Sequence, residues 1–502
     1  DYSAPVGSGS NTSVQFINAT RTGINFGINA PDDYSDTVNP KLITSVFTNG
    51  NPLGGGTSGA SSSLVRFDYT DNGQTSSSNN ENIATNASVG TVWGLGYQRD
   101  KDRLFASAFL KRHTGLGPMG IGGLYILNNA KSSTSPTING FDLAALGLSF
   151  GTVLDNTSRG LQSDKTQPQH DSSVFDQIGK VGIGDIDVSS DDRSLYVVNL
   201  FEKKVHVLDI TGSTPTLLRS HVIPDPGCIG GAWRPFALKF YHGELYVGGV
   251  CDAQTSGVQA DLQAFILKLN GSTFNQVFSF PLNYGKGWAY WSTCVSVRGW
   301  FPWTGTEQSP CDGILVVHQQ PILSDLEFDE DGSMILNFSD RLGSQEGWRN
   351  YGLTTTSLRA GITGGDIIRV CNVSGSYVLQ GSPDCANNST NAQGPGGGEF
   401  YYEDKIPTNN AHVETSQGAS AFFIGANILV NTIMDPITVD SGGIKYFDSD
   451  NGATFSSYEL YDTNTTSGTF GKSAGLGDVE LLFAPAPLQI GNRVWLDTDK
   501  DG

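Results

Sequence analysis

Gly184-Asp185-Ile186-Asp187, Ser324-Asp325-Leu326-Glu327 and Gly477-Asp478-Val479-Glu480 are three short acidic signatures set far apart in the chain. Each opens a stretch of alternating apolar and polar residues, the period of a β-strand. The first two run directly into polar turns, Asp191-Asp192 and Asp329-Glu330-Asp331-Gly332, and then into a second strand. A strand, turn and strand unit recurring at long intervals is how successive blades of a β-propeller begin. Acidic side chains at one repeated position of such blades converge on the ring's axis.

Working outward, the same grammar recurs in units with fewer acids. One runs from Trp93-Gly94-Leu95-Gly96-Tyr97 through Arg103-Leu104-Phe105-Ala106 to Leu124-Tyr125-Ile126-Leu127, and another from Phe236-Ala237-Leu238 through Leu245-Tyr246-Val247 to Phe265-Ile266-Leu267. A third starts at Ala421-Phe422-Phe423-Ile424. Asp478 to Phe483 reads as an inner strand with no partner downstream, whereas Leu42–Phe47 and Leu64–Tyr69 read as later strands with no inner strand upstream. Joining them closes a ring and removes exposed sheet edges. The expected fold is therefore all-β: a β-propeller of six blades, with the N- and C-terminal strands closing one blade. Seven blades is the competing count, because 271–318 is long enough to hide another.

The expected domain plan is an extended lead-in over 1–40, the propeller over 41–484, and a linker with a new domain's first strand over 485–502. Loop insertions are expected near 128–180, 271–316 and 380–414, where Ser, Thr, Asn and Gly are abundant or the strand grammar lapses.

The chain of 502 residues carries 30 Lys and Arg against 50 Asp and Glu, a formal charge of -20. That charge opposes binding to nucleic acid or anionic lipid and favours cations as small partners. No apolar run reaches the roughly 18 residues of a membrane helix, and Asp1 begins without a basic or apolar leader, so direct membrane insertion is not expected and any signal peptide is taken as already removed. The six cysteines fall into three neighbouring couples without zinc-type spacing. Proximity pairs Cys228 with Cys251, Cys294 with Cys311 and Cys371 with Cys385, in an oxidising compartment. Reduced, buried thiols are the alternative.

After Ala484-Pro485-Ala486-Pro487, the segment Ile490-Gly491-Asn492-Arg493-Val494-Trp495-Leu496-Asp497, followed by Asp499, Asp501 and Gly502, resembles the opening of the B-type repeat of serine-aspartate-repeat adhesins. That repeat is a prealbumin-like β-sandwich associated with calcium in bacterial surface proteins. Trp93-Gly94-Leu95-Gly96-Tyr97 and Lys111-Arg112-His113-Thr114-Gly115-Leu116-Gly117 look like the propeller-like regions ahead of such repeats. The resemblance implies a bacterial, extracellular, cell-surface protein and supplies no catalytic residues.

Three carboxylates on one axis, Asp185, Asp325 and Asp478, repel unless protonated or bridged by a cation, and oxygen-only ligation suits calcium. Asp187, Glu327 and Glu480, two residues on, face the same way. The alternative role for all six is to accept backbone N–H bonds from neighbouring blades. Asp497, Asp499 and Asp501 fit the start of a calcium loop that lacks its closing Glu. Trp288, Trp291, Trp300 and Trp303, gathered around Cys294, could bind sugars or a protein, or could form the core of their insertion. Lys111-Arg112-His113 reads as a local basic patch, and His113, His206, His242 and His318 as structural or surface residues. No catalytic motif is present. Three functions follow: a non-enzymatic surface module for adhesion or for assembly of a surface layer or filament, whose partners are other surface proteins, copies of itself or glycans; a calcium-dependent lactonase or esterase ligated by Asp185, Asp325 and Asp478; and a lectin built on the tryptophans.

Overall fold

Alternation of β-branched and aromatic residues with polar ones folds this chain largely as antiparallel sheets joined by long loops. The structure, a computed structural model, describes residues 2–7, 24–29, 34–35, 38–74, 80–408, 410–463 and 467–485. Among them, six sheets have four strands each. Sheet I comprises Leu476–Leu482, Lys41–Val46, Ser62–Asp68 and Glu81–Thr85, and sheet II Val92–Gln98, Arg103–Ala108, Gly123–Asn128 and Thr137–Asp142. Sheet III holds Ile183–Val188, Ser194–Asn199, Lys204–Asp209 and Thr216–Val222, and sheet IV Trp233–Tyr241, Glu244–Cys251, Gln263–Asn270 and Thr273–Pro281. Sheet V holds Pro321–Phe328, Met334–Asp340, Asp366–Val373 and Ser376–Leu379, and sheet VI Ser416–Phe423, Ile428–Met434, Ser441–Asp448 and Thr454–Asp462.

The first-named strands pack against one another in a closed cycle from sheet I through sheet VI and back. The ring is closed by antiparallel pairing of the chain's two ends, with Leu476 opposite Val46, Val479 opposite Thr44 and Leu482 opposite Lys41. The arrangement is propeller-like, and burial grades outward along each sheet. In sheet III the strand Ser194–Asn199 is buried on both faces, because neighbouring sheets cover each side, whereas Thr216–Val222 is almost wholly exposed. That gradient explains what the apolar pattern misses. The fourth strands Thr137–Asp142 and Thr273–Pro281, lying inside the segments read as loop insertions, are outer strands of sheets II and IV, too exposed to need an apolar rhythm.

Every inner strand pairs with its neighbour through a register shift, as at Ile183/Ile186, Leu323/Asp325 and Leu476/Val479. A bulge at this position re-aims the strand at the axis. Two further departures are a helix, Arg341–Glu346, and a three-stranded sheet of Leu315–Val316, Leu358–Gly361 and Trp348–Tyr351; the helix and the last two of these strands lie in the chain segment that connects the second and third strands of sheet V, and Leu315–Val316 precedes its first. In the lead-in, Tyr2–Gly7 and Ile24–Asn29 pair with each other.

The three disulfides are Cys228–Cys251, Cys294–Cys311 and Cys371–Cys385, with Cα separations of 5.3, 5.5 and 5.6 Å. Such bonds persist in oxidising compartments. No helix among the described residues is long and apolar enough to cross a membrane. The Cys371–Cys385 bridge closes a loop with a sequence separation of 14 and anchors the start of the 380–414 insertion. Replacing both cysteines by serine is expected to lower unfolding free energy by about 3 kcal/mol in denaturant titration. An unchanged midpoint would show that the bridge constrains nothing in the unfolded chain.

Candidate functional site

Neighbouring inner strands of this ring are not joined by a hydrogen-bonded ladder, so backbone N–H groups at the axis need other acceptors. The acidic signatures supply them. Asp478 accepts from Val479 N in its own strand (2.7 Å) and from Leu95 N in sheet II (2.8 Å). Asp185 accepts from Ile186 N (2.9 Å) and from Leu238 N in sheet IV (3.0 Å). Asp325 accepts from Leu326 N and from Ser420 N in sheet VI (2.6 Å each), with the Ser420 hydroxyl adding a third donor at 3.2 Å. Each carboxylate therefore stitches its own sheet to the next, linking I to II, III to IV and V to VI.

The glycines of the signature follow from this closeness. A Cβ on Gly477 would come 2.2 Å from Ser45 Oγ of its own sheet and 3.3 Å from the Val92 carbonyl of the next, and one on Gly184 3.0 Å from the Phe236 carbonyl of the next sheet. On the receiving sheets the equivalent positions are small, Gly94 and Ala237. In sheet VI the donor is Ser420, at the end of a register shift that spreads over Ser416 to Ser420.

The axial acids are in mutual electrostatic contact. Burial, followed by the neighbouring Asp478 and Asp325, holds the Asp185 carboxyl well above the usual range. Burial and Asp325 do the same to Asp478. Asp325 is pushed up to about 6 by burial, with Lys239 and the backbone donors opposing.

The second acidic layer lines a cavity of ≈ 340 Å³ at one mouth of the axis, where Asp187, Glu327 and Glu480 meet Lys239, Arg99 and Tyr97. Asp187 repeats the stitch, accepting from Val188 N (2.8 Å) and Phe240 N (2.7 Å). Lys239 Nζ donates to Glu327 Oε1 at 2.8 Å. Burial disfavours the Lys239 charge, yet Glu327, Asp187 and Glu480 outweigh it and raise its pKa. Burial drives the Glu327 and Glu480 carboxyls up to about 8, against the pull of Lys239. Lys239 is the residue of this site that the acidic signatures do not announce; its position two residues beyond Ala237, matching Asp187, Glu327 and Glu480, is the signal.

Other candidates fall elsewhere. Trp300 and Trp303 are 0% and 2% exposed and belong to the hydrophobic core, their ring N–H groups donating to Tyr284 Oη (2.9 Å) and the Pro321 carbonyl (2.7 Å). Trp288 is half-buried under the Arg298 guanidinium, and Trp291 is exposed. The four do not form one binding face, because Trp300 and Trp303 pack into the main hydrophobic core with Trp233, Phe280 and Phe338. Lys111-Arg112-His113 is not a surface patch but is fully buried. Lys111 Nζ donates to the Gly343 and Ser473 carbonyls, and Arg112 to four carbonyls of Asp171, Gln345, His170 and Tyr351. His206 hydrogen-bonds Asn199 and Ser220, and His318 stacks on Phe301. Asp497, Asp499 and Asp501, with the segment resembling a B-type repeat, lie outside the described residues.

No family model matches the chain. Similar sequences occur in Dictyostelium discoideum. Colossin-D is 29% identical over 415 residues, covering 80% of this chain and 41% of that protein. Colossin-A is 27% identical over 439 residues, 82% of this chain and 4% of that protein, and Colossin-B 26% identical over 528 residues, 97% and 12%. The chain thus spans less than half the length of these relatives, which are Dictyostelium proteins and not the bacterial adhesins the terminal segment resembles. Similar solved structures include a Lactobacillus plantarum protein (TM-score 0.39, 8% identity, 89% of this chain and 100% of that one) and the calcium-binding protein regucalcin of Agrobacterium tumefaciens (TM-score 0.30, 9% identity, 74% and 75%).

Two outcomes test the axial geometry. Asp478→Ala, which orphans two buried N–H groups, is expected to cost about 2 kcal/mol in chemical unfolding; an unaffected midpoint would remove the stitch. The pH dependence has a definite sign. Glu327, Glu480 and Asp325 titrate higher folded than unfolded, so the folded chain holds protons that the unfolded chain has released. Their stabilising contribution is complete below about pH 4 and lost as pH climbs through about 6 to 8. The melting temperature in chelator should fall from pH 5 to pH 8.5, and a rise would contradict the assignment.

Proposed function

We propose that the chain is a rigid, non-enzymatic extracellular module, a six-bladed propeller within a longer surface protein, serving adhesion or assembly of a cell-surface layer or filament. The supporting observation is the commitment of the axial carboxylates. Both oxygens of Asp185, Asp325, Asp478 and Asp187 accept backbone N–H groups, and Glu327 is paired with Lys239. Each of these carboxylates has a structural role, joining neighbouring sheets or pairing with Lys239, which accounts for the acids without a catalytic ion. What the mouth offers is a recessed acidic cavity suited to a cationic group, such as a basic side chain of another surface protein or of a second copy of this chain. The disulfides fit an extracellular setting.

A calcium-dependent lactonase or esterase is the second reading, favoured by one observation: Glu327 and Glu480 are pushed to about 8, where a carboxyl can exchange a proton near neutral pH. One experiment separates the two. The purified chain and an Asp187→Asn/Glu480→Gln variant are assayed for binding to cells, to immobilised chain and to glycans, and in parallel for ester and lactone turnover with and without chelator. The module reading expects no turnover and saturable binding that the variant weakens about tenfold or more. Chelator-sensitive turnover lost in the variant would replace it with the hydrolase.

A further inference from the structure

Away from the axis, four carboxylates meet in the interior where two insertions converge on sheet V. Asp366 begins the third strand of that sheet; Glu399, Asp404 and Glu414 belong to the 380–414 insertion that leads into sheet VI. Asp366, Glu399 and Asp404 are each 1% exposed and Glu414 0%. One carboxylate oxygen of each lies within 4.8 Å of the others, and among the described residues this is the group that brings three or more such ligands together so closely.

Part of the charge is met by protein. Lys286 Nζ sits 3.1 Å from Glu414 Oε2, Gly287 N donates to Glu414 Oε1 (2.6 Å), Tyr284 Oη donates to Asp366 Oδ2 (2.5 Å), and Asn391 Nδ2 donates to Glu399 Oε2. The rest is not. Both oxygens of Asp404 and Oδ1 of Asp366 are buried without a hydrogen-bond partner. Asp404 is also fixed in place: its carbonyl accepts from Thr415 N (2.8 Å) and Thr415 Oγ1 (2.7 Å), and Lys445 Nζ grips the carbonyls of Glu403 and Lys405 on either side. A buried carboxylate with neither oxygen satisfied is costly unless it takes up a proton or a cation stands before it, and one ammonium cannot balance four acids.

We propose that Asp366, Glu399, Asp404 and Glu414 form a calcium site that fastens the 380–414 insertion to sheet V. Four hard oxygen donors at this spacing match the preference of Ca²⁺ for several carboxylate oxygens, with room for water or a second oxygen from the same groups. The site is independent of the axial signatures and of the functional reading above, since none of its residues lines the axial mouth.

The test uses the full chain stripped with chelator and dialysed. Calorimetric titration with CaCl₂ and metal analysis after desalting should give one tightly held Ca²⁺ per chain, a higher melting temperature, and slower proteolysis within 380–414. Asp404→Asn should weaken binding at least about tenfold and abolish the shift in melting temperature. If that variant does not fold, the proteolysis comparison on the wild-type chain decides, since it requires protection confined to the insertion and its neighbours. No calcium uptake at millimolar concentration, or uptake lost in Glu480→Gln and kept in Asp404→Asn, would overturn the proposal.

Discussion

The structure depends on a carboxylate that accepts two backbone N–H groups at once, one from its own strand and one from the inner strand of the next sheet. A propeller-like ring brings inner strands together at angles that forbid a continuous ladder between them, so each leaves donors facing the axis. Asp185, Asp325 and Asp478 meet those donors. The arrangement also explains why the signature is confined to alternate sheets. A stitch needs a carboxylate on one side and an unladdered N–H on the other, and Leu95, Leu238 and Ser420 supply that N–H, the first two directly after the small residues Gly94 and Ala237. The six sheets are therefore three stitched pairs set around an axis.

Convergence of carboxylates creates the second constraint. Acids gathered on an axis raise one another's proton affinity, and the chain answers in three ways. It dissipates charge onto backbone dipoles at Asp185 and Asp187, it sets Lys239 against Glu327, and it leaves Glu327 and Glu480 binding protons close to neutral pH. The cavity that results is acidic yet already partly neutralised by Lys239. The Asp366, Glu399, Asp404 and Glu414 cluster differs in kind, because Asp404 has no donor to lean on.

Much of this was legible in the residues, and what was not has physical causes. The acidic tetrapeptides, with their Gly or Ser first, identify inner strands because close approach of the next sheet restricts side-chain size and axial N–H groups call for acceptors. Cysteines near in sequence found each other because each couple brackets one short excursion. The outer strands, such as Thr137–Asp142, stayed hidden because exposure removes the apolar rhythm. Lys111-Arg112-His113 misled because burial of a basic run is paid for by carbonyls, and carbonyls carry no sequence signature. The four-carboxylate cluster was invisible for the same reason that it is interesting: its members come from positions 366, 399, 404 and 414, with no spacing rule, and only the fold assembles them.

The central claim is that the stitches make the ring one cooperative unit closed by the strand Leu476–Leu482. Hydrogen exchange followed by mass spectrometry tests it most directly, by comparing amides of Leu476–Leu482 and Lys41–Val46 with those of Val92–Gln98, Trp233–Tyr241 and Ser416–Phe423. The account predicts that all five segments exchange together, at the rate of global unfolding. Early exchange of Leu476–Leu482 and Lys41–Val46, while the other three remain protected, would contradict it.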